Sequence, residues 1–424
     1  MTGPQGDHGS PGRPRARITH RRLTAGWQDA TRPASLREHH DRYGPLPAAC
    51  QQNPLALVDA VAAARLTGRG GAGFPTATKM RAVAGRRGPA VVVANGVESE
   101  PASQKDQALL ARAPHLVLDG ALLAARAVGA DSIHVCLDRA RDQQAGVMLR
   151  AISERQRAGL GEVAVLAHGL PSRYVASEET ALIRWLNGGE ARPTTVPPRP
   201  FERGVGGRPT LVDNVETLAH VALIARYGPD WFGQVGEPGT PGTMLITVSG
   251  AVGCPGVYEI GAGSLLGDVL ALCDGDSEDG AVLVGGYFGP WHATRDVARL
   301  PLSVPGLRDA GASPGAGVIV ALPAGRCGLA EAARILGFLA SESARQCGPC
   351  RFGLPAVADD FAQLANGRPD GEVLERLQRR LGAITGRGAC RHPDGAVRMA
   401  ASALAAFAPD ASAHAAGQPC LEAR

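Results

Sequence analysis

Two cysteines separated by two residues stand in the segment "SESARQCGPCRFG", residues 341–353. A C-x-x-C pair is typical of a thioredoxin-like redox dithiol, and it is also half of many metal or iron–sulfur sites. A redox dithiol needs a strand before the motif and a helix after it, within a β-α-β unit. Here "LAEAARILGFLASESA" before the pair and "LPAVADDFAQLA" after it both have the pattern of helices. The setting therefore favours a metal or iron–sulfur site, to which Cys390 in "GRGACRHPDG" is a candidate third ligand.

A glycine-rich stretch, "GRGGAG", satisfies the pattern G-x-G-x-x-G through Gly68, Gly70 and Gly73. The dinucleotide-binding fingerprint also requires a strand before the glycines, and here the preceding residues are typical of a helix. One interpretation is an ordinary glycine turn. The other is a loop whose backbone N–H groups lie against a phosphate or a flat ring, with Arg69 and Lys79 adding positive charge.

Only two of the 44 basic residues are lysines, Lys79 and Lys105. A chain that uses Arg for its exposed cations retains Lys either by chance or where a compact point charge on a flexible stem is required. Lys105 lies in a polar segment that also holds Asn95, Glu98 and Glu100, directly after a predicted buried strand. The carboxyl edge of an open α/β sheet is where ligands bind, although a solvated polar loop would have the same composition.

The elements that must position these residues alternate between strands and helices. Apolar spacing and turn residues predict strands at 89–96, 132–138 and 162–169, and helices at 53–67, 115–130, 177–189 and 213–229. The helix at 177–189 is predicted to be capped by Ser177, and the helix at 213–229 by Asp213 with Glu216 completing a capping box. This alternation predicts an α/β domain with a mostly parallel sheet over residues 53–240.

The remaining chain divides into regions of different texture. Residues 243–323 predict a small, separate β-rich α+β domain, and residues 328–408 predict a helical domain that contains the C-x-x-C pair. Residues 1–45 are predicted to be a disordered leader and residues 409–424 a loose tail.

Charge and composition exclude several classes of protein. The first 42 residues hold eight Arg and four acidic residues, a difference that equals the whole net charge of +4, so the neutral remainder does not suggest nucleic-acid binding. The sequence predicts no transmembrane helix, no direct membrane insertion and no signal peptide. The cysteine count of nine is odd, which argues against a disulfide framework and for a reducing cytoplasm.

Taken together, these segments resemble the NADH-oxidising flavoprotein family of respiratory complex I, which includes the diaphorase subunits of NAD-linked hydrogenases. The resemblance is carried, in order, by "GRGGAGFPT…K", "ANGVESEP…KD", "PHLVLDGALLAARAVGA", "Y…SEETALI", "VDNVETLA", "SGAVGCPGVYEI" and "CGPCRFG…GRGAC", and it covers residues 53–405. It implies an FMN-binding α/β domain, a small β-grasp (SLBB-like) domain and a helical iron–sulfur domain. It also implies electron transfer between NAD(H) and a ferredoxin-like or other redox subunit.

The resemblance implies roles for individual residues. Those implied to contact FMN are Gly68, Arg69, Gly70, Lys79, Asn95, Glu98, Glu179, Asp213, Asn214 and Thr217, with Gly73 in the same glycine motif. Tyr174 is expected near the flavin, Glu100 and Glu178 near the nicotinamide, and Phe74 against the adenine. In this chemistry the protein supplies position and electrostatics rather than an acid–base pair.

This sequence departs from the family pattern at several positions. Val97 replaces an Asp, Ser177 replaces a Gly, and Ala82 and Arg199 stand where two further adenine-stacking Phe are usual, with Phe201 as a candidate substitute. FMN binding is therefore predicted more firmly than NADH binding. The alternatives are a flavoprotein that exchanges electrons with ferredoxin and a non-catalytic scaffold that kept the fold.

The cysteine pattern of the family is also incomplete. Cys347, Cys350 and Cys390 remain as iron–sulfur ligands, and Ala344 replaces the fourth cysteine. Several kinds of site stay open. They are a [4Fe–4S] cluster with a fourth bond from Ser343, Glu342 or His392, an open-iron or three-iron [3Fe–4S] form, and a zinc ion on three Cys and His392. Cys327 occupies a non-ligand position of the family, and the other cysteines are expected to be buried or incidental: Cys50, Cys136, Cys254, Cys273 and Cys420.

Overall fold

A four-stranded parallel sheet forms the centre of the first part of the chain. The computed structural model describes residues 18–27, 32–47, 53–276, 278–323, 325–368 and 371–420. The strands of this sheet are β1 (Ala90–Gly96), β2 (Ala130–Asp138), β3 (Ala164–Leu170) and β4 (Thr210–Asn214). Their order is β3-β2-β1-β4, and every neighbouring pair is parallel. From β1 the sheet first grows on one side through β2 and β3, and β4 then pairs with the opposite side of β1. The carboxyl ends of β1 and β4 therefore form a topological switch point, which is where open α/β sheets bind ligands.

Helices cover this sheet. They are α1 (Leu36–Tyr43), α2 (Pro54–Ala63), α3 (Thr76–Ala84), α4 (Lys105–Arg112), α5 (Pro114–Val128), α6 (Asp142–Arg157), α7 (Glu179–Leu186) and α8 (Val215–Gly233). The backbones of α5 and α8 come into close contact, because a Cβ on Gly120 would lie 1.7 Å from the carbonyl oxygen of Leu218. Among the described residues, no single helix is long and apolar enough to cross a membrane. The pair α4–α5 meets that criterion only jointly, across a 96° bend.

A second sheet follows, and it is mixed rather than parallel. After the short hairpin of β5 (Gly236–Glu237) and β6 (Thr240–Pro241), it consists of β7 (Thr243–Gly250), β8 (Gly256–Gly261), β9 (Ala281–Val284), β10 (Trp291–Ala293) and β11 (Val318–Leu322). The order is β10-β9-β11-β7-β8, with only β11 and β7 parallel. Its apolar core includes residues of α9 (Leu266–Leu272) and of the short helices α10 (Thr294–Val297) and α11 (Val304–Leu307).

The elements described after residue 327 are all helical. They are α12 (Gly328–Ser341), a π-helical turn (Pro349–Gly353), α13 (Leu354–Ala365), α14 (Val373–Ile384), α15 (His392–Ala406) and α16 (Ala408–Ala415). Their shared apolar core also takes in Leu283 of β9, Trp291 of β10 and Tyr287 between these strands, so the helical region packs directly on the second sheet.

The described parts of the expected leader and tail are folded. Helix α1 begins with a capping box between Ser35 and Glu38. Upstream, Leu23 is fully buried, and the backbone N–H groups of Arg22, Leu23 and Thr24 donate to the Glu259 carboxylate at 2.9–3.0 Å. A buried carboxylate that needs donors thus orders a segment whose composition suggests disorder. Residues 1–17, 28–31 and 421–424, and Cys50, lie outside the described residues.

Two predicted helix starts differ from the structure. Glu178, not Ser177, caps α7, and Asn214, not Asp213, caps α8. The reason for the second difference is β4, which the sequence did not predict and which holds Asp213 in an extended conformation beside Ala94 of β1. The pattern of "TLVDN" is too short to identify a strand whose pairing partner lies more than a hundred residues away.

Candidate functional site

Lys79 and Asp213 face each other at the switch point. The Lys79 ammonium donates to the carbonyl oxygen of Val212 at 2.7 Å and lies 3.4 Å from Oδ1 of Asp213. Oδ2 of Asp213 is buried and has no hydrogen-bond partner among the described residues. Burial raises the pKa of Asp213, Lys79 opposes that rise, and the Glu179 carboxylate adds to it. The pair therefore keeps one oxygen in need of a donor, which a bound ligand can supply.

The glycine loop, residues 68–73, lies across the end of β4 and the first turn of α8. The Gly68 N–H donates to the Phe74 carbonyl at 2.9 Å and closes the loop, and the Arg69 N–H donates to Oγ1 of Thr217 at 2.9 Å. A Cβ on Gly70 would lie 3.4 Å from Cβ of Asn214. Glycine thus leaves the backbone open on the side of the strand ends. We call the loop together with Lys79, Asn95, Asp213 and Asn214 the switch-point cradle.

The side chain of Arg69 runs from this loop toward the second sheet. Its guanidinium donates to the Thr243 carbonyl at 3.0 Å, while Nε is buried without a partner among the described residues. Burial lowers the pKa of Arg69, and the Glu216 carboxylate partly opposes this effect. Gly73, at the end of the loop, has a φ of 63° that L side chains rarely adopt. The loop therefore combines a fixed positive charge with a backbone conformation that favours glycine.

Lys105 is enclosed in a network of buried polar groups. Its ammonium lies 2.6 Å from Oδ1 of Asp106, 2.8 Å from Oε2 of Glu216 and 3.4 Å from Oδ1 of Asn214. Asn214 in turn donates to Oδ2 of Asp106 at 2.6 Å and to the Asn95 carbonyl at 3.4 Å. Burial lowers the pKa of Lys105, but the carboxylates of Asp106 and Glu216 together raise it by a larger amount, so the net shift of the pKa is upward. Lys105 therefore holds the cradle together from beneath, whereas Lys79 lies half-buried at its surface.

Two of the predicted site carboxylates cap helices instead of facing open space. Glu98 accepts from the Ser103 hydroxyl at 2.7 Å and from the N–H groups of Asp106 and Gln107 at 2.8 and 3.0 Å, at the start of α4. Burial and the nearby Asp106 raise the pKa of Glu98 to about 7. Glu178 accepts from the N–H groups of Thr180 and Ala181 at 2.9 and 3.1 Å. Both carboxylates therefore position backbone through helix N-termini, which favour negative charge.

The Asn95 side chain has a hydrogen-bond partner in the protein, whereas the Glu179 side chain has none among the described residues. Asn95 donates through Nδ2 to the Ser177 carbonyl at 2.9 Å, which ties the end of β1 to the turn before α7. Val97, which replaces the family's Asp, is 1% exposed within an apolar cluster that includes Leu182. Glu179 has no hydrogen-bond or ion-pair partner among the described side chains, and it acts on Asp213 electrostatically. Glu179 is therefore available to a ligand in the cradle.

Glu100 and Tyr174 connect the three regions of the chain. The Tyr174 hydroxyl and the Tyr287 N–H both donate to Oε2 of Glu100 at 2.9 Å. The Tyr174 ring makes edge contacts with Phe288 of the second-sheet region, at a centroid distance of 5.0 Å, and with His392 of the helical region, at 5.6 Å. Burial raises the pKa of Glu100, and these donors oppose the rise. Sequence reasoning missed Tyr287 and Phe288, whose only signal is two aromatic residues after a predicted strand.

The residues expected to stack on adenine have different environments. Phe74 is 51% exposed, and its ring is available to a ligand. Arg199 is exposed, and Ala82 is half-buried in α3. The ring of Phe201 packs against the α/β core and lies 5.3 Å from the guanidinium carbon of Arg86. Of these four positions, Phe74 alone presents a free aromatic ring.

The three predicted cysteine ligands come together in the helical region. Cys350, in the π-helical turn, is 1% exposed, and Cys347 and Cys390 are half-buried. Burial raises the pKa of the Cys350 thiol to about 12, and the neighbouring thiols Cys347 and Cys390 contribute to the rise. The three thiols therefore lie within electrostatic range of one another, although their sulfur atoms are not all within 4.8 Å of each other. π-Helical turns are frequent at functional sites.

The position of the missing fourth cysteine is buried, and its polar neighbours are unequal. Ala344 is 5% exposed. The Ser343 hydroxyl donates to the Ala340 carbonyl at 2.9 Å, and the Glu342 carboxylate accepts from the Tyr174 N–H at 3.1 Å. His392 donates through Nε2 to the Leu339 carbonyl at 2.8 Å, and its Nδ1 is buried without a partner among the described residues. Of the three proposed fourth ligands, His392 is thus the one that has a buried ligand atom with no hydrogen-bond partner among the described residues.

Hydrogen bonds connect the cysteine site to α7 and to the segment that follows α7. Gln346, one residue before Cys347, donates to the Pro193 carbonyl at 2.8 Å and accepts from Arg184 of α7 at 3.1 Å. Glu178 at the start of α7 raises the pKa of Cys390 after the larger effect of burial, so the two groups are within electrostatic range. The first turn of α7 therefore borders both the cradle and the three cysteines.

Comparisons with known proteins agree with this arrangement. Residues 61–223 match the Nuo51 FMN-binding domain, and residues 330–414 match the NADH-ubiquinone oxidoreductase-F iron-sulfur binding region. The chain is 33% identical to the F subunit of the NADH-quinone oxidoreductase of Salmonella typhimurium, with 91% of each chain covered. It is 31% identical to the F 2 subunit of the NADH-quinone oxidoreductase of Rhizobium meliloti, with 86% of this chain and 90% of that protein covered.

A solved structure is similar over most of this chain. The NAD+-reducing [NiFe]-hydrogenase in its H2-reduced state matches with a TM-score of 0.81 and 34% sequence identity, covering 92% of this chain. This chain spans 65% of the hydrogenase chain that it matches. With the identities and coverage above, this chain belongs to the family of the NADH-quinone oxidoreductase F subunits.

Proposed function

We propose that this chain is a flavin- and iron–sulfur-dependent oxidoreductase subunit that transfers electrons between NAD(H) and a partner redox protein. The observation that carries the proposal is the shared border formed by the first turn of α7. Glu179 in this turn lies within electrostatic range of Asp213 in the cradle, and Arg184 of the same helix donates a hydrogen bond at 3.1 Å to Gln346, the residue before Cys347. A flavin in the cradle and an iron–sulfur cluster on the cysteines would therefore be neighbours.

The residues of the switch-point cradle fit FMN. Gly68 and Gly70 would let the ligand approach the backbone, and Lys79, Asn95, Asp213, Asn214 and Thr217 are the residues that would hold its polar groups. The unpartnered Oδ2 of Asp213 supplies one acceptor that the protein leaves unused. When bound, FMN supplies hydride acceptance from a nicotinamide and release of electrons one at a time. The protein's part is to position the ligand, and Lys105 serves this by fixing Asn214.

The cysteine site fits an iron–sulfur cluster with one unconventional position. Cys347, Cys350 and Cys390 would hold three irons, and Ala344 offers no ligand. We propose His392 as the fourth ligand, because its Nδ1 is buried and unpartnered. A three-iron form and zinc are the alternatives, and iron and sulfide analysis distinguishes them.

NAD(H) is proposed as the electron donor, with Phe74 stacking on the adenine. The second candidate is a reduced ferredoxin as donor. It is favoured by the adenine side, where Ala82 and Arg199 replace two rings and Phe201 is engaged with Arg86. A cytoplasmic location is proposed because the eight described cysteines are free thiols, as expected in a reducing compartment.

Anaerobic purification tests the proposal. Yellow protein containing one FMN per chain, with a flavin absorbance that bleaches on addition of NADH, supports it. A flavin that ignores NADH and is reduced by ferredoxin supports the second candidate. Protein that stays colourless after reconstitution with FMN, iron and sulfide contradicts both and points to a scaffold.

A matched pair of variants localises the flavin. Gly70→Val puts methyl groups into the cradle beside Asn214, whereas Gly239→Val adds them where nothing lies within 4 Å. Gly70→Val should lose most of its FMN while its far-ultraviolet circular dichroism stays unchanged, and Gly239→Val should keep its FMN. Equal flavin content in the two folded variants would place FMN elsewhere.

A further inference from the structure

We propose that the chain binds a zinc ion at a second cysteine site, formed by Cys327, His414 and Cys420. The site lies at the opposite end of α12 from the residues that lead to Cys347. Among the described residues, these three form the one group whose ligand atoms, two Sγ and one ring nitrogen, all lie within 4.8 Å of one another. Cys327 and Cys420 are 93 positions apart in the sequence, so the sequence pattern alone does not reveal the site.

The interatomic distances match a tetrahedral zinc site. Nε2 of His414 lies 3.0 Å from Sγ of Cys420 and 3.9 Å from Sγ of Cys327. With Zn–S and Zn–N bonds of about 2.3 and 2.05 Å and a tetrahedral angle, ligand S and N atoms are about 3.6 Å apart. The two distances bracket this value, so small movements of the two thiols would complete the geometry.

The tautomer of His414 directs an electron pair toward the thiols. Nδ1 lies 3.1 Å from the Leu364 carbonyl oxygen, which only accepts, so Nδ1 carries the proton and Nε2 has the free pair. Nε2 accepts from the Cys420 N–H at 2.9 Å, and a bound ion would replace that donor. A metal-ligating His whose second nitrogen donates to a backbone carbonyl is the usual arrangement of zinc sites.

The environment of the thiols also suits a zinc ion. Cys327 is the N-cap of α12, and its Sγ accepts from the Ala330 N–H at 3.4 Å. A helix N-terminus stabilises a thiolate, the form in which Cys binds metal. His414 is fully buried and Cys327 is 5% exposed, whereas Cys420 is half-buried. The ion would thus have three protein ligands and one position toward solvent, where water binds.

A zinc ion here would fasten the end of the described chain to the start of α12. Cys420 lies after α16, His414 lies within α16, and Cys327 precedes α12, so one ion joins three segments. Because metal affinity adds to folding free energy, zinc would stabilise the helical region that also holds the first cysteine site.

Zinc analysis of the full-length protein tests the inference. The protein is purified with its iron–sulfur site loaded, dialysed against micromolar ZnCl2 and then against buffer, and its zinc is counted. We expect one zinc per chain in the unaltered protein and in Cys254→Ser, which changes an exposed cysteine outside both sites, and none in Cys420→Ser, whose half-buried position tolerates the change. Equal zinc content in Cys420→Ser and the unaltered protein, or no zinc in either, would overturn the proposal.

Cobalt substitution identifies the ligands independently of zinc content. Bound Co²⁺ should give a thiolate-to-metal charge-transfer band in the unaltered protein, and this band should be absent in Cys420→Ser, which is expected to bind no metal. His414→Gln should weaken the visible bands while keeping that charge-transfer band. A disulfide between Cys327 and Cys420 in protein isolated anaerobically without reductant, detected by peptide mass, would also contradict the zinc site.

Discussion

Replacing Lys105 by Met should destabilise the α/β region strongly, and the effect should grow as the pH rises. The side chain of Lys105 is 3% exposed, and its ammonium lies 2.6 Å from Asp106 and 2.8 Å from Glu216. Met fills a similar volume but leaves two buried carboxylates without their cation. Removing one partner of a buried ion pair costs about 3–5 kcal/mol. For a region of this size that corresponds to a fall in Tm on the order of 10 °C.

The pH dependence follows from the carboxylates. In the unaltered protein, burial raises the pKa of Glu216, but Lys105, His220 and Arg69 together hold it at about 2. That carboxylate therefore stabilises the fold above its unfolded pKa and loses the contribution as the pH falls toward 2. Without Lys105, burial dominates and raises the pKa of both Asp106 and Glu216 above the unfolded values. The native state of the variant then takes up protons, so its stability should fall as the pH rises from 5 to 8.

Differential scanning calorimetry of the flavin-free protein at pH 5 and pH 8 measures both effects. Lys79→Met is the matched control, because its side chain is 26% exposed and is paired with one carboxylate, so its Tm should fall much less. Lys105→Arg tests the requirement for a compact cation, since the Lys105 stem already packs close to Gly317. A Lys105→Met variant with an unchanged Tm, or with a higher Tm at pH 8 than at pH 5, would refute this reasoning.

Three further predictions concern other parts of the chain. Gly120→Ala should lower the urea midpoint of unfolding, because the added Cβ clashes between α5 and α8; the free energy of unfolding should fall by about 1–3 kcal/mol or more. Gly146→Ala on α6 should leave the midpoint equal or higher. Tyr174→Phe removes a donor from the buried Glu100 carboxylate and should cost about 1–3 kcal/mol in the same assay, more at high pH because the pKa of Glu100 is already raised. Glu259→Gln should speed tryptic cleavage after residues 21 and 22, because three backbone donors lose their carboxylate; an unchanged rate would mean that Glu259 does not order this segment.

Much of the fold could be predicted from local sequence patterns. The run "PAVVVANG" identified β1 because five consecutive apolar residues between turn residues are typical of a buried strand, and Val91 and Val93 are indeed fully buried. The helical setting of Cys350 followed from apolar spacing on both sides of the motif. The β-rich region predicted at residues 243–323 contains the five strands of the second sheet.

The rest of the site depends on non-local contacts. β4 is five residues long and pairs only with β1, so nothing in its own sequence distinguishes it from a helix start. The family pattern predicts that Glu98 and Glu178 bind a ligand. In the structure each carboxylate accepts hydrogen bonds from backbone N–H groups at a helix N-terminus, and the sequence pattern does not show these contacts. Cys420 was predicted to be incidental. Its contact with His414 is local, but the approach of both residues to Cys327 depends on how the helices of this region pack, which the sequence pattern does not show.

The most direct test of the central claim, that one chain carries electrons from NADH through FMN to a cluster on three cysteines, is an anaerobic NADH titration. It is followed by flavin absorbance and electron paramagnetic resonance, in the unaltered protein and in Ala344→Cys. We predict that NADH bleaches the flavin in both, and that Ala344→Cys, in which a thiolate takes the place of His392 as fourth ligand, keeps its iron content and gives a conventional all-cysteine four-iron signal that the unaltered protein lacks. A spectrum that the substitution leaves unchanged would contradict the cysteine site, and a flavin that NADH does not bleach would contradict the electron path.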